Sequence, residues 1–284
     1  MQLIDTHVHL LHPERFAYEW CAGVPALQGP FPLAAYRAAA SRAPHAAHVQ
    51  AAVFMEADVP AAQQENEAAY FSALVETETG PLPLIAVIAG ARPESPDFPA
   101  QLARLAANPR IRGLRRVLHT MPDDFSLAPL LAENLRRLPA HGLTFDLCLR
   151  PRQLPNVITL VRRCPETQFI LDHCGVPAIA RGELDPWRGY IRQLAELPNV
   201  VCKISGLPGC ADPARPLVPQ LRPFVEHCCA SFGVSRLLWG SDWPVSPDLP
   251  AWLEATAELF GSFSTAEKLQ LGVTNAQRIY RLTS

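Results

Sequence analysis

The chain has no run of roughly 18 apolar residues, the length a helix needs to cross a bilayer, so a membrane-spanning role is not expected. It has no C-x-x-C pair either. Its eight cysteines (Cys21, Cys148, Cys164, Cys174, Cys202, Cys210, Cys228 and Cys229) mostly sit in apolar segments and read as buried free thiols rather than disulfides or a zinc knuckle. No G-x-G-x-x-G follows an apolar run, which argues against dinucleotide binding, and no G-x-S-x-G elbow is present, which argues against a serine hydrolase. An excess of one charge is also missing. With 25 basic and 27 acidic side chains the net charge is -2, too little to draw in nucleic acid or an anionic membrane. Lysine is nearly absent, Lys203 and Lys268 being the two examples, but an Arg-for-Lys bias along a whole chain carries little functional information. The N-terminus, Met1-Gln2-Leu3-Ile4-Asp5, lacks the basic start and apolar core of a secretory signal, so a cytoplasmic protein is expected.

What is present is a chain of 284 residues, 49% hydrophobic, with its 29 prolines spread out rather than gathered in a low-complexity tract. Eight short apolar or β-branched runs recur, at Gln2–His7, Val49–Met55, Leu84–Ala89, Ile111–Leu118, Leu143–Leu149, Gln168–His173, Val200–Ile204 and Leu237–Gly240. Helix-period segments lie between them, among them Ala61–Thr77, Leu127–Ala140, Gln153–Arg163, Trp187–Leu197 and Leu217–Phe232. Parallel strands need crossovers, so this alternation predicts an α/β fold, a single (β/α)₈ barrel domain over residues 1–284. Asp58-Val59-Pro60 and Ser246-Pro247 mark helix starts, and His141-Gly142 and Phe232-Gly233 mark helix ends. The segment Leu10–Phe31 is a long irregular connection whose aromatic content favours packing over a site.

The first strand ends Asp5-Thr6-His7-Val8-His9. Strand side chains alternate, so His7 and His9 face the same way and can chelate one divalent cation at the mouth of a barrel; the alternative is two strand-end residues bonded to the backbone. His173, after the sixth strand, and Asp242, after the eighth, are each common as bland features. Together with the His pair they form a coherent constellation, since catalytic groups of such barrels sit where strands end and strand eight adjoins strand one.

The chain resembles the amidohydrolase superfamily, and within it the branch of small lactone-hydrolysing barrels. The marks are IDTHVHL at 4–10, IRGLRRVLH at 111–119, LDHCG at 171–175, NVVCKISGL at 199–207, RLLWGSDWPV at 236–245 and NAQRIY at 275–280. The resemblance implies that His7, His9, His173 and Asp242 are the central catalytic group, and that Asp242 deprotonates or orients the attacking water. It implies metal ligation by some of these four in metal-dependent members and no obligatory metal in some lactonases; from the shared facing of His7 and His9, a metal, if bound, is expected as a single zinc-like ion on His7, His9 and Asp242 with His173 nearby. Metal-dependent relatives add a Lys or His from the middle strands, and related decarboxylases a His on strand five. Strand five here reads Leu143-Thr144-Phe145-Asp146-Leu147-Cys148-Leu149-Arg150, with no His, so Asp146 or Arg150 takes that region.

The expected reaction is opening of a lactone, most of all a sugar-acid (aldono-) lactone, by water activated at Asp242. His7, His9 and His173 then serve the carbonyl or the leaving alkoxide. Arg115 and Arg116 face opposite ways, so at most one enters the mouth, where it would bind substrate together with His119. Lys203, inside an apolar strand, calls for a charge partner or a substrate contact. Trp20 and Trp243 are either apolar walls for substrate or packing residues. Alternatives are a metal-dependent decarboxylase of the same superfamily, a lactonase for a carboxylated pyrone or muconolactone, a hydrolase of an acyclic amide or ester, and a non-catalytic binding protein. The partner in the enzymatic readings is a small-molecule substrate.

Overall fold

The computed structural model describes residues 1–42, 47–246 and 248–282. Eight strands, β1 (Gln2–Val8), β2 (His48–Met55), β3 (Leu84–Gly90), β4 (Ile111–Val117), β5 (Thr144–Cys148), β6 (Phe169–Leu171), β7 (Val200–Ile204) and β8 (Leu237–Trp239), pair in chain order, each parallel to the next. Between and after them lie α1 (Leu33–Ala40), α2 (Gln64–Thr77), α3 (Phe98–Ala106), α4 (Pro129–Leu135), α5 (Leu154–Arg163), α6 (Trp187–Ala195), α7 (Leu217–Phe232), α8 (Leu249–Leu259), α9 (Thr265–Leu269) and α10 (Asn275–Ile279). The barrel closes where β1 meets the end of β8: Thr6 Oγ1 donates to Trp239 O (2.7 Å), Asp242 N to His7 O (2.8 Å) and His9 N to Trp243 O (2.8 Å). The expected (β/α)₈ architecture is therefore the one that forms. No helix among the described residues is long and apolar enough to cross a membrane.

Two expected elements are shorter than their sequence pattern. The run 127–140 breaks into α4 and a 3-10 turn, Leu138–His141, because Pro139 has no N–H to continue an α-helix. The sixth strand stops at Leu171, and His173 belongs to the turn after it. Gly142 and Gly233 follow their helices at φ +68 and +67, as the helix-end signals require. Pro247 lies outside the described residues; the next helix, α8, is capped by Asp248, whose Oδ1 accepts from Ala251 N at 3.0 Å. The segment 10–31 packs through Phe16, Cys21 and Leu27, yet it also carries Trp20 to the mouth of the barrel, so packing is not its whole role.

Strand residues facing out, such as Leu3, Val8, Phe54 and Leu114, join one apolar layer with the helices. Those facing in, including Ile4, Val53, Met55, Ile88, Ile170 and Leu238, meet Val273, Ala276, Ile279 and Tyr280. These last four come from the C-terminal helical run, which plugs the end of the barrel where the strands begin. Each large side chain so buried contributes about 1.5–3 kcal/mol. Gly272, in the π-helical turn Gln270–Thr274 between α9 and α10, must be glycine. A Cβ there would collide with Gln2 O.

Strand β1 carries the feature that aims the site. Leu3 packs outward and Ile4 inward, so strict alternation would turn His7 outward. Pairing with β2 slips between Asp5 and Val8, which face Ala52 and Phe54 respectively: three steps along β1 match two along β2. This bulge resets the alternation, so that Val8 packs outward while His7 and His9 face the barrel interior. Asp5, at the base of the bulge, accepts hydrogen bonds from Tyr36 Oη (2.6 Å), Ser241 N (2.8 Å) and His7 N (3.1 Å), tying α1 and the β8 loop to the same spot.

Candidate active site

A cavity of about 340 Å³ opens at the end of the barrel where the strands finish. Its lining includes His9, Arg115, His173 and Asp242, with His7 buried immediately beneath. The four central residues named from the sequence converge here. Asp242 Oδ1 lies 3.5 Å from His7 Nε2, 3.5 Å from His9 Nε2 and 3.9 Å from His173 Nε2, and the two strand-one Nε2 atoms are 3.2 Å apart.

Each imidazole turns Nε2 toward this centre because its other nitrogen is engaged elsewhere. His9 Nδ1 lies 3.1 Å from Met55 O, His173 Nδ1 lies 2.9 Å from Ser205 Oγ, and His7 Nδ1 lies 3.4 Å from Asp172 Oδ1. Such outer partners fix ring orientation, as they do around metal-ligating histidines. Burial lowers the basicity of all three rings: His9 falls to about 3 with the Arg115 charge adding to the effect, His7 falls well below its ordinary value, and His173 shifts the same way. They are neutral at pH 7, as metal ligands must be. Burial raises Asp242 to about 6 against the pull of His173 and Arg115, which leaves a carboxylate ionised at neutral pH but more basic than usual.

The geometry fits one divalent cation. Tetrahedral zinc with bonds of about 2.0–2.2 Å sets its ligand atoms about 3.3–3.5 Å apart. His7 Nε2, His9 Nε2 and Asp242 Oδ1 are spaced at 3.2–3.5 Å, and His7, His173 and Asp242 also bring their donor atoms within 4.8 Å of one another. The buried cations Arg115 and Lys203 are taken up by Glu56, Asp146 and Asp172.

Loop strain is concentrated at the site. His173, Cys174, Val176 and Asp242 are all left-handed non-glycine residues, at φ 54, 54, 53 and 64. This conformation costs about 1–2 kcal/mol per residue and is held here by packing and hydrogen bonds. Gly206, at φ +63, supplies the space: a Cβ on it would lie 2.5 Å from His173 Nδ1 and 2.9 Å from Asp242 Oδ2.

Arg115 points in and Arg116 points out to Glu94 (2.9 Å), as strand alternation requires. The Arg115 fork is held by Glu56, with Nε on its Oε1 (2.5 Å) and Nη2 on its backbone O (2.6 Å), while Nη1 faces His7 Nε2 at 3.4 Å. His119, Trp20 and Arg150 line the cavity; burial and the Arg115 and Arg150 charges lower His119 to about 4, and Trp20 Nε1 is anchored on Ala57 O (2.8 Å).

Two expected substrate contacts are corrected. Lys203 is fully buried below His7, its Nζ 2.5 Å from Asp146 Oδ1 and 2.9 Å from Asp172 Oδ1, so a bound molecule in the cavity meets imidazole before it meets the ammonium. The charge-partner reading describes it. Trp243 packs against Phe31 and Tyr36 and is not part of the cavity lining. Sequence reasoning passed over Glu56, Asp172, Ser205 and Gly206. Asp172, Ser205 and Gly206 stand inside the motifs LDHCG and NVVCKISGL, whereas Glu56 had no signal beyond a charge at the end of an apolar run.

Residues 4–282 match the protein family described as Amidohydrolase. The chain is 41% identical over 167 residues to an L-fucono-1,5-lactonase of Burkholderia ambifaria, covering 56% of this chain and 57% of that protein. It is 34% identical over 202 residues to an L-fucono-1,5-lactonase of Burkholderia multivorans, covering 64% and 68%. The first of these alignments thus spans little more than half the length of its relative. Among solved structures, an amidohydrolase from Burkholderia multivorans determined with bound Zn superposes with a TM-score of 0.86 at 28% identity, over 100% of both chains.

Proposed function

The chain belongs to the amidohydrolase family, and from that premise we propose that it is a lactonase, opening a sugar-acid lactone by attack of a water molecule that Asp242 deprotonates. The observation that carries the reading is the placement of Asp242: buried at the cavity floor, ionised at neutral pH, with three neutral imidazoles converging on its Oδ1. Relatives that are L-fucono-1,5-lactonases support a six-membered aldonolactone. The cavity suits one, with Trp20, Val117, Leu149 and Val176 as apolar walls for sugar C–H faces and His119 and Arg150 as polar groups for hydroxyls.

In this reaction the water oxygen bonds to the lactone carbonyl carbon while its proton passes to Asp242. The guanidinium of Arg115, fixed by Glu56, presents Nη1 to the negative charge that develops on the carbonyl oxygen. The ring C–O bond then breaks and the leaving alkoxide takes the proton held on Asp242, while His173 Nε2–H, 3.9 Å from Asp242 Oδ1, donates a hydrogen bond to the departing oxygen. Ser205 Oγ accepts from the His173 backbone N–H (3.3 Å), which leaves its own proton free for Nδ1 and favours the ring with hydrogen on Nε2. A divalent ion on His7, His9 and Asp242, when bound, would polarise the carbonyl and acidify water. At strand five Asp146 is engaged by Lys203 and by Tyr280 Oη (2.9 Å), so that strand adds no histidine to the centre, unlike the pattern expected of a decarboxylase.

A panel of aldonolactones, muconolactones and pyrone carboxylates, followed with a pH indicator and a CO₂ probe, tests the reading. Acid release from 1,5-aldonolactones supports it, and CO₂ release without ring opening overturns it.

A further inference from the structure

The two nitrogens of His7 have an unusual set of neighbours. Below the ring, Nδ1 is the same distance, 3.4 Å, from a donor, Lys203 Nζ, and from an acceptor, Asp172 Oδ1. Above it, Nε2 is 3.2 Å from His9 Nε2 and 3.5 Å from Asp242 Oδ1, both acceptors, with one donor, Arg115 Nη1, at 3.4 Å. The tautomer of His9 is fixed by its own partner. Met55 O can only accept, so His9 carries hydrogen on Nδ1 and its Nε2 is bare.

We propose that His7 exchanges tautomers between the cation-free and the cation-bound site, with Lys203 and Asp172 each supporting one of the two forms; this rests on the metal-binding reading of the His7, His9 and Asp242 triangle. Without a cation, His7 Nε2 stands nearest an acceptor, bare His9 Nε2 at 3.2 Å, with the Asp242 carboxylate at 3.5 Å, while the Arg115 fork is held by Glu56 through Nε and Nη2; His7 therefore carries hydrogen on Nε2 and donates it to His9. Its Nδ1 is then an acceptor, and the third hydrogen of the Lys203 ammonium, whose other two serve Asp146 and Asp172, fills that need. With a cation on both Nε2 atoms, the N–H bond at His7 Nε2 must break and one must form at Nδ1. The ring stays neutral and its proton count is unchanged. The new N–H faces Asp172 Oδ1, and a tilt of a few tenths of an ångström converts one support into the other.

This accounts for burying both an ammonium and a carboxylate under one imidazole. A buried ion pair costs several kcal/mol in desolvation and is a poor route to stability alone. Either partner by itself would serve one tautomer and oppose the other. Lys203 and Asp172 are therefore positioning residues for His7.

The test is the ¹⁵N spectrum of imidazole-labelled protein, chelated and then loaded with zinc. The His7 signals are assigned by their absence from His7→Gln, or by their shift in Lys203→Arg if that variant misfolds. His9 serves as the internal reference, its Nδ1 protonated in both states and its Nε2 shifting when zinc binds. The proposal predicts that the protonated nitrogen of His7 moves from Nε2 to Nδ1 on loading. One tautomer in both states, with His9 Nε2 responding to zinc, overturns the proposal and leaves the metal reading standing. No response of His9 Nε2 to zinc overturns the metal reading and the tautomer exchange with it.

Discussion

A Cβ placed on Gly206 would stand 2.5 Å from Nδ1 of His173, closer than side chains pack, on a backbone already at φ +63. Gly206→Ala must therefore displace His173 or Asp242 and adopt a conformation that costs about 1–2 kcal/mol. Melting should fall by that modest amount while kcat falls by more than KM changes, because the groups moved are the ones proposed to act on the reacting atoms. Kinetics and thermal unfolding of the same preparation check this, and an active Gly206→Ala variant would remove the glycine from the catalytic geometry.

Besides its proposed contact with substrate, Arg115 serves the fold, since its guanidinium is the counter-charge of buried Glu56. Arg115→Ala should therefore lower unfolding free energy by about 3–5 kcal/mol, the usual effect of orphaning one member of a buried pair. Adding Glu56→Gln should restore part of that stability but none of the activity. Urea titration of both variants distinguishes this from a contact with substrate alone.

Tyr280, at the end of the C-terminal plug, donates to Asp146 inside the barrel. Tyr280→Phe removes a hydrogen bond to a charged or partly charged buried group, so a loss of about 1.5–3 kcal/mol is expected in urea unfolding. A stability equal to that of the parent would show that the plug acts through packing alone.

The architecture and the four central side chains were legible from the chain because both rest on local periodicity. Eight strand-and-helix repeats fix a barrel, and residues that end strands fall at one rim. What could not be read depends on local breaks in that periodicity and on what stands opposite. The bulge in β1, rather than alternation from Ile4, turns His7 inward. Asp172 and His173 would point to opposite faces of a continued strand, but the chain leaves β6 at Leu171 for a left-handed turn and both serve the interior. Lys203 announced that it needed a partner, but its two carboxylates come from β5 and the turn after β6, contacts that only the closed barrel supplies.

If His7, His9 and Asp242 hold the ion, protein purified without chelator should carry up to one zinc per chain, and His9→Gln should reduce it to background by elemental analysis. His9→Gln retaining the full zinc content of the parent would contradict the His7, His9 and Asp242 set and point to His7, His173 and Asp242 or to the three buried thiols of Cys174, Cys202 and Cys228.

The central claim is that Asp242 takes the proton of the water that opens the ring, and the most direct measurement is the initial rate of 1,5-aldonolactone opening by Asp242→Asn beside the parent. The amide keeps the shape of the carboxylate and loses its basicity. A folded variant with turnover reduced about 10²–10⁴-fold, the range typical of a lost general base, is the predicted result. A folded Asp242→Asn enzyme that opens the lactone at the parent rate would contradict the account.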